Sequence, residues 1–199
     1  MSEEESINKS RRRFLKGTTT AVGGAAVVAA AVPFVGYWRP SKDTEIAGGP
    51  IDVDIRKLKP GEQLTVPWRG RPVWIIKRTP ESLAALAQIK TNELRDPSSR
   101  IDQQPDYAKN AYRSRSPDLL VLVGVCTHLG CAPTYRPDKG SIETTWPGGF
   151  FCSCHGSKFD LAGRVYKGVP APINLEVPPY AYITKDKIRI GVNNIKNKA

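Results

Sequence analysis

The order of apolar and charged residues divides the chain into stretches of different character. An uncharged run covers residues 17–38 and follows a basic segment at residues 10–16. As a helix, a run of this length extends about 33 Å, enough to cross a hydrocarbon core of about 30 Å. We therefore predict a transmembrane anchor over residues 17–38. The next stretch, RPSKDTEIAGGP at residues 39–50, has no apolar periodicity and predicts a flexible linker.

Beyond residue 50, the apolar residues fall in short runs rich in β-branched side chains, as is typical of strands. One segment has the pattern of a helix, residues 82–89, with Thr79 as its N-cap and Pro80 at the first helical position. Residues 91–117 are polar and predict a surface loop or a short helix. The fold class that follows is mainly β and antiparallel, with one helical insertion. The predicted strands are residues 51–55, 63–67, 73–77, 119–125, 173–177, 180–184 and 187–192. Hairpin turns are predicted at residues 69–70 and 185–186.

Composition and charge narrow the class of protein. Apolar residues make up 40% and charged residues 25% of the chain. These are ordinary globular values, which exclude a disordered, a collagen-like and a polytopic membrane protein. The net charge of +11 is spread over many segments, with no basic helix, so we expect no nucleic-acid partner.

The amino terminus carries a targeting pattern. Residues 10–16, SRRRFLK, resemble a twin-arginine export signal, an address read by a receptor. The basic flank predicts a cytoplasmic tail at residues 1–16 and places residues 39–199 outside the bacterial inner membrane, in the periplasm. Ala29–Ala31 could pass for a processing site. Cleavage there would leave residues 32–38 as an exposed apolar tail, so we favour an uncleaved single-pass anchor.

All four cysteines and both histidines lie in two short boxes, CTHLGC at residues 126–131 and CSCHGS at residues 152–157. Such clustering predicts that the boxes meet at one site. A structural zinc site would use two Cys and two His but leave two cysteines over. A disulfide framework would ignore the histidines. A binuclear iron–sulfur cluster with two thiolates on one iron and two imidazoles on the other uses all six residues if the remaining cysteines pair.

The patterns C-x-H-x-G-C and C-x-C-H-G-S resemble the two boxes of Rieske iron–sulfur proteins. With the export signal, the anchor, the linker and VPAPINLEVP at residues 169–178, nearly the whole chain resembles the Rieske subunit of bacterial ubiquinol–cytochrome c reductase, respiratory complex III. The resemblance implies a Rieske-type β domain over residues 51–199, with a small cluster-binding subdomain at about 120–172, and one 2Fe-2S cluster. By motif position, the implied metal ligands are Cys126, His128, Cys152 and His155, and the implied disulfide joins Cys131 to Cys154.

The resemblance also assigns roles around the ligands. Cys126 and Cys152 would bind the inner iron, and the two histidines the outer iron. Ser157 matches a serine whose hydroxyl donates to a bridging sulfide. Phe159 stands where many high-potential relatives have a tyrosine that donates to a ligand thiolate, so we expect a lower potential here. The remaining residues would line the boxes, shield the cluster or shape a docking surface: Leu129, Gly130, Gly156, Pro170, Ala171 and Pro172.

The function implied is electron transfer. Ubiquinol would be oxidised at a pocket formed with cytochrome b, His155 would accept its hydrogen bond and proton, and the electron would pass to a c-type cytochrome haem, contributing to proton translocation. Residues 39–50 would act as a hinge, and the complex would be dimeric. An alternative is the small Rieske subunit of a periplasmic oxidase such as arsenite oxidase. The long anchor and the segment WIIKRTPESLAAL at residues 74–86 favour the quinol enzyme.

Overall fold

The structure, a computed structural model, describes residues 8–41, 44 and 48–195 of the chain. The chain divides into two compact units, residues 1–46 and residues 47–199. Lys42, Asp43 and residues 45–47 of the predicted hinge lie outside the described residues.

Helix α1, Lys9–Tyr37, accounts for nearly all of the described part of the first unit. Asn8 caps its start, because the Asn8 side chain accepts hydrogen bonds at 3.1 Å from the backbone N–H groups of Ser10 and Arg11. None of the helix's side chains is buried. An 18-residue window reaches a mean hydropathy of 1.7, so the helix is long and apolar enough to cross a membrane. The basic segment at residues 10–16 forms its first turns.

The described residues of the second unit contain nine strands in three antiparallel sheets of three strands each. The strand orders are β1-β9-β8, β2-β3-β4 and β5-β6-β7, so the prediction of a mainly antiparallel β fold is confirmed. The strands are β1 Ile51–Asp54, β2 Gln63–Trp68, β3 Arg71–Lys77, β4 Leu119–Val123, β5 Thr134–Arg136, β6 Gly149–Cys152, β7 Ser157–Phe159, β8 Tyr180–Thr184 and β9 Lys187–Ile190.

The centre of the core is the pair β3 and β4. Every residue of β4, sequence LLVLV, is buried, and this continuous apolar run is what a strand covered on both faces requires. Two-residue turns connect β2 to β3 at residues 69–70 and β8 to β9 at residues 185–186, as the register on either side shows. Both turns were predicted from the sequence and are confirmed.

Helix α2, Pro80–Gln88, confirms the one helix predicted in this unit. Thr79 is its N-cap, with Oγ1 accepting from the Ser82 N–H at 3.2 Å. The strand predicted at residues 173–177 was wrong. Its N–H groups donate to separate segments, at 2.8 Å from Leu175 to the Gly163 carbonyl and at 3.0 Å from Val177 to the Gln103 carbonyl. Strands β5, β6 and β7 were missed, since three or four residues are too few for a reliable period.

Residues 91–117 are not simply a surface loop. The segment contains two short 3₁₀ turns, Thr91–Glu93 and Asp106–Ala108, but Arg113 within it is fully buried. The Arg113 guanidinium donates to Ser99 Oγ at 3.0 Å, to Gln104 Oε1 at 2.9 Å and to the Ala162 carbonyl at 3.2 Å. Burial lowers its pKa to about 10, so the group is still charged at neutral pH. This arginine fastens the polar segment to the loop that follows β7.

Candidate metal centre

Two loops carry the candidate ligands, one between β4 and β5 and the other between β6 and β7. They contain the same local turn. The Gly130 N–H donates to the Cys126 carbonyl at 3.0 Å, and the Gly156 N–H donates to the Cys152 carbonyl at 2.9 Å. Both glycines have positive φ, +83° and +76°, a conformation that side chains disfavour. Each box therefore requires a glycine four residues after its cysteine, and that spacing was visible in the sequence.

The four cysteines meet where the loops approach each other. A disulfide joins Cys131 to Cys154, which confirms the predicted pair. Cys126 and Cys152 are free and buried, and their side chains interact. The sulfur atoms of Cys131, Cys152 and Cys154 lie within 4.8 Å of one another. The disulfide thus holds the two loops together and leaves two neighbouring free thiols, one on each loop.

The two histidines, one on each loop, are in contact with each other. The His128 and His155 rings have centroids 4.8 Å apart and are perpendicular. His128 is half-buried and His155 is exposed. The site therefore offers two buried sulfur donors and two nitrogen donors nearer to solvent. This donor set fits a binuclear iron–sulfur cluster with mixed ligands, and the disulfide excludes its own two cysteines from binding.

The surroundings of Cys126 act on its thiol in opposite directions. Burial raises the pKa of Cys126, whereas the His128 backbone N–H and the Ser157 hydroxyl beside it lower the pKa; burial has the larger effect. A thiol with a raised pKa keeps its proton at neutral pH, so metal binding must displace that proton. The same two donors are placed to stabilise negative charge on the sulfur once it is a ligand.

Ser157 connects the second box to the proline-containing loop at residues 170–172. Ser157 is fully buried, and its Oγ accepts from the Ala171 N–H at 3.0 Å. Its hydroxyl hydrogen therefore remains available to a sulfur. Ala171 is buried, while Pro170 and Pro172 beside it are exposed. Of the residues predicted to shape a docking surface, the two prolines and Leu129 are therefore exposed, and Leu129 is 71% exposed.

Thr127 also positions the site, although no role was predicted for it. Its Oγ1 donates to the Ile173 carbonyl at 2.6 Å, so both boxes are fastened to the segment that carries the proline loop. The sequence does show a hydroxyl residue between two candidate ligands, which indicates a possible hydrogen-bond donor. It does not show that the acceptor is Ile173, which is distant in the sequence.

Phe159 lies in a fully buried apolar environment. On β7 it pairs with Phe150 of β6, whose ring is stacked on Trp74 with centroids 5.4 Å apart. All three side chains are buried. The position expected to carry a tyrosine hydroxyl in many relatives therefore presents only apolar surface.

The chain is similar to known iron–sulfur proteins over most of its length. Residues 1–41 match the family described as "Ubiquitinol-cytochrome C reductase Fe-S subunit TAT signal", and residues 98–180 match the family "Rieske [2Fe-2S] domain". The iron–sulfur subunit of ubiquinol–cytochrome c reductase from Allochromatium vinosum is 51% identical, over 94% of this chain and 91% of the relative. The subunits of the same name from Blastochloris viridis and Rhodospirillum rubrum are each 42% identical, over 96% and 92% of this chain and 98% and 92% of the relatives.

Proposed function

The chain belongs to the family of ubiquinol–cytochrome c reductase iron–sulfur subunits, and from this premise we propose that it takes an electron and a proton from ubiquinol and passes the electron to a c-type cytochrome haem. As a Rieske subunit of complex III, it carries a [2Fe-2S] cluster and transfers electrons within that complex. The observation that carries the proposal is the donor set, which consists of two buried thiols and two neighbouring imidazoles that are more exposed.

The four donors divide by burial into two pairs. Cys126 and Cys152 would bind the inner iron, and His128 and His155 would bind the outer iron through Nδ1. When bound, the cluster supplies a one-electron acceptor whose reduction raises the proton affinity of an attached histidine. The disulfide between Cys131 and Cys154 keeps the two ligand loops at a fixed separation.

His155 is the residue proposed to contact the quinol. It is exposed, so its Nε2 can accept a hydrogen bond from a quinol hydroxyl and then hold the proton. Leu129 is exposed as well and would pack against cytochrome b, excluding water from this hydrogen bond. Electron and proton can then leave the quinol through one side chain, and the coupling contributes to proton translocation.

Coupling of electron and proton predicts a pH-dependent potential. We expect the midpoint potential to be constant at low pH and to fall by about 59 mV per pH unit once the oxidised protein has released a histidine proton. The measurement is a redox titration of the holoprotein at a series of pH values. A potential that stays flat up to about pH 10 would contradict the coupling.

Phe159→Tyr tests the tuning of the potential. We expect the new hydroxyl to donate to the Cys126 thiolate and to stabilise the reduced state. A hydrogen bond worth about 1 kcal/mol corresponds to a rise of roughly 40 mV for one electron. Redox titration of the variant measures this rise. Phe151→Tyr is the matched control. Phe151 follows Phe150 on β6, so its side chain points to the opposite face of the sheet from Phe159, and the potential should not change. Equal potentials in the two variants would refute the role of residue 159 in tuning the potential.

The remaining parts of the chain fit a membrane-anchored subunit. The export-signal match over residues 1–41 and the apolar helix α1 support a single anchor in the bacterial inner membrane. The basic segment at residues 10–16 supports a cytoplasmic amino terminus and a periplasmic second unit. Residues 39–50 would be the hinge that lets the second unit reach both cytochrome b and a c-type cytochrome, in a dimeric complex.

Purification of the subunit from its membrane tests the assignment. It should co-purify with b-type and c-type haem, and the complex should reduce cytochrome c with ubiquinol as donor. Recovery with an arsenite-oxidising enzyme and without b-type haem would instead support a periplasmic oxidase. The reductase name of all three relatives favours the first result.

A further inference from the structure

Trp68 and Arg69, at the end of β2, hold the segment that leads into the second unit. Trp68 Nε1 donates to the Gly49 carbonyl at 2.9 Å. Arg69 Nε donates to the Gly48 carbonyl at 2.9 Å. Two consecutive peptide groups of the predicted hinge are thus hydrogen-bonded to two consecutive side chains of the second unit. This unit is called the head below.

The Trp68 indole is fixed in a packed slot. The side chain is only 3% exposed. A Cβ added to Gly191 would lie 3.2 Å from Trp68 Nε1 and 3.1 Å from Pro50 Cα. Gly191, directly after β9, therefore lies close to both Pro50 and the indole, with little space for a side chain of its own.

Arg69 is an unexpected residue for its turn. Arg69 and Gly70 are the two central residues of the β2–β3 hairpin, with φ of 51° and 70°, the type I′ geometry that favours Asn, Asp or Gly. An arginine is unfavourable there. Its guanidinium carbon lies 4.6 Å from the centroid of the Trp68 ring while its Nε bonds to Gly48. The contacts to the hinge segment, and not the turn, account for an arginine at this position.

We propose that Trp68 and Arg69 are positioning residues that clamp Gly48–Pro50 onto the head and so set the length of the tether, an inference that rests on the proposed hinge function. With the clamp closed, the chain length between the clamped segment and the end of the predicted anchor is nine residues, 39–47. Opening the clamp adds three residues, about 10 Å of reach. The effective concentration of a tethered module falls roughly as the −3/2 power of tether length, so opening the clamp lowers it about 1.5-fold at each docking site.

The test is a rescue by shortening, made in the full complex. Trp68→Phe keeps the ring but removes the N–H donor, and Arg69→Asn removes the guanidinium while suiting the turn. We expect this double variant to reduce cytochrome c with ubiquinol about 1.5-fold more slowly, with an unchanged midpoint potential. Deleting residues 45–47 in the double variant restores the tether length and the turnover. The same deletion in the wild type leaves six residues, about 20 Å of reach, which we expect to be too short to span the two docking sites, so the turnover falls.

The deletion should raise the turnover of the double variant but lower that of the wild type. This opposite effect distinguishes a role in tether length from a purely structural role. Independent structural damage would make the two losses add, and additive losses would overturn the clamp. Arg100→Asn removes the same charge from an exposed loop position and should leave turnover unchanged. If the double variant does not assemble, Arg69→Asn alone must show the same reversal with the deletion. A wild-type complex that does not reduce cytochrome c with ubiquinol would refute the proposed function and not the clamp.

Discussion

Loss of iron is the expected result when any one proposed ligand is replaced, by serine at a thiol or by asparagine at an imidazole. A cluster with an open coordination position is not retained, and ubiquinol–cytochrome c turnover should fall by at least about 100-fold, more than the loss of a supporting residue costs. Iron content and electron paramagnetic resonance of the reduced protein measure the outcome. The four positions are Cys126, His128, Cys152 and His155.

Variants that lack the disulfide should behave differently from the ligand variants. The double variant Cys131→Ala, Cys154→Ala should contain iron when freshly prepared, because its ligands are intact. It should lose that iron at a lower temperature, since the bond spans 23 residues and a link of this length contributes about 3 kcal/mol. Ser153→Ala, in the same box, is the control. The assignment of four residues as ligands and two as a disulfide would be contradicted by either of two results. One is a disulfide variant that loses its iron as completely as the ligand variants, and the other is a ligand variant that keeps all its iron.

Arg113→Met should lower the free energy of unfolding of the second unit by about 3 kcal/mol or more, because several buried acceptors lose their donor at once. That is a large part of the roughly 5–15 kcal/mol that stabilises a typical domain. Methionine fills similar volume without the charge, so the loss measures the hydrogen bonds and not a cavity. Denaturant titration of the holoprotein gives the value.

Arg100→Met is the matched control for Arg113. Arg100 is exposed, and a surface substitution should change stability by no more than about 0.5 kcal/mol. If both variants unfold at the same denaturant concentration, the buried guanidinium is not what joins residues 91–117 to the loop after β7. A loss confined to Arg113 would show that this segment is part of the core.

Much of the site could be predicted from the sequence because its information is local. The turn that presents each cysteine is closed by a hydrogen bond spanning four residues, from Gly130 to Cys126 and from Gly156 to Cys152. A glycine at fixed spacing encodes such a turn in any surroundings. Donor chemistry is likewise a property of residue type. Composition and spacing therefore predicted the anchor helix α1 and the antiparallel hairpins, and the resemblance to the Rieske boxes predicted the kind of metal site.

The positions of the supporting residues could not be read in the same way. The burial of Arg113 depends on a carbonyl at Ala162, 49 residues away, and the proline loop depends on a bond from Thr127 to Ile173, 46 residues away. The segment at residues 173–177 has the apolar pattern of a strand, but its N–H groups find partners in separate segments.

The sequence by itself determined which groups can bind a metal and how each ligand loop turns, because both depend on residue type and on contacts within a few positions. Only the tertiary structure decided which polar side chains are buried and where the tether meets the head. Trp68 and Arg69 show the reason: they bond to Gly49 and Gly48 across 19 and 21 residues, and such contacts exist only after the strands have paired.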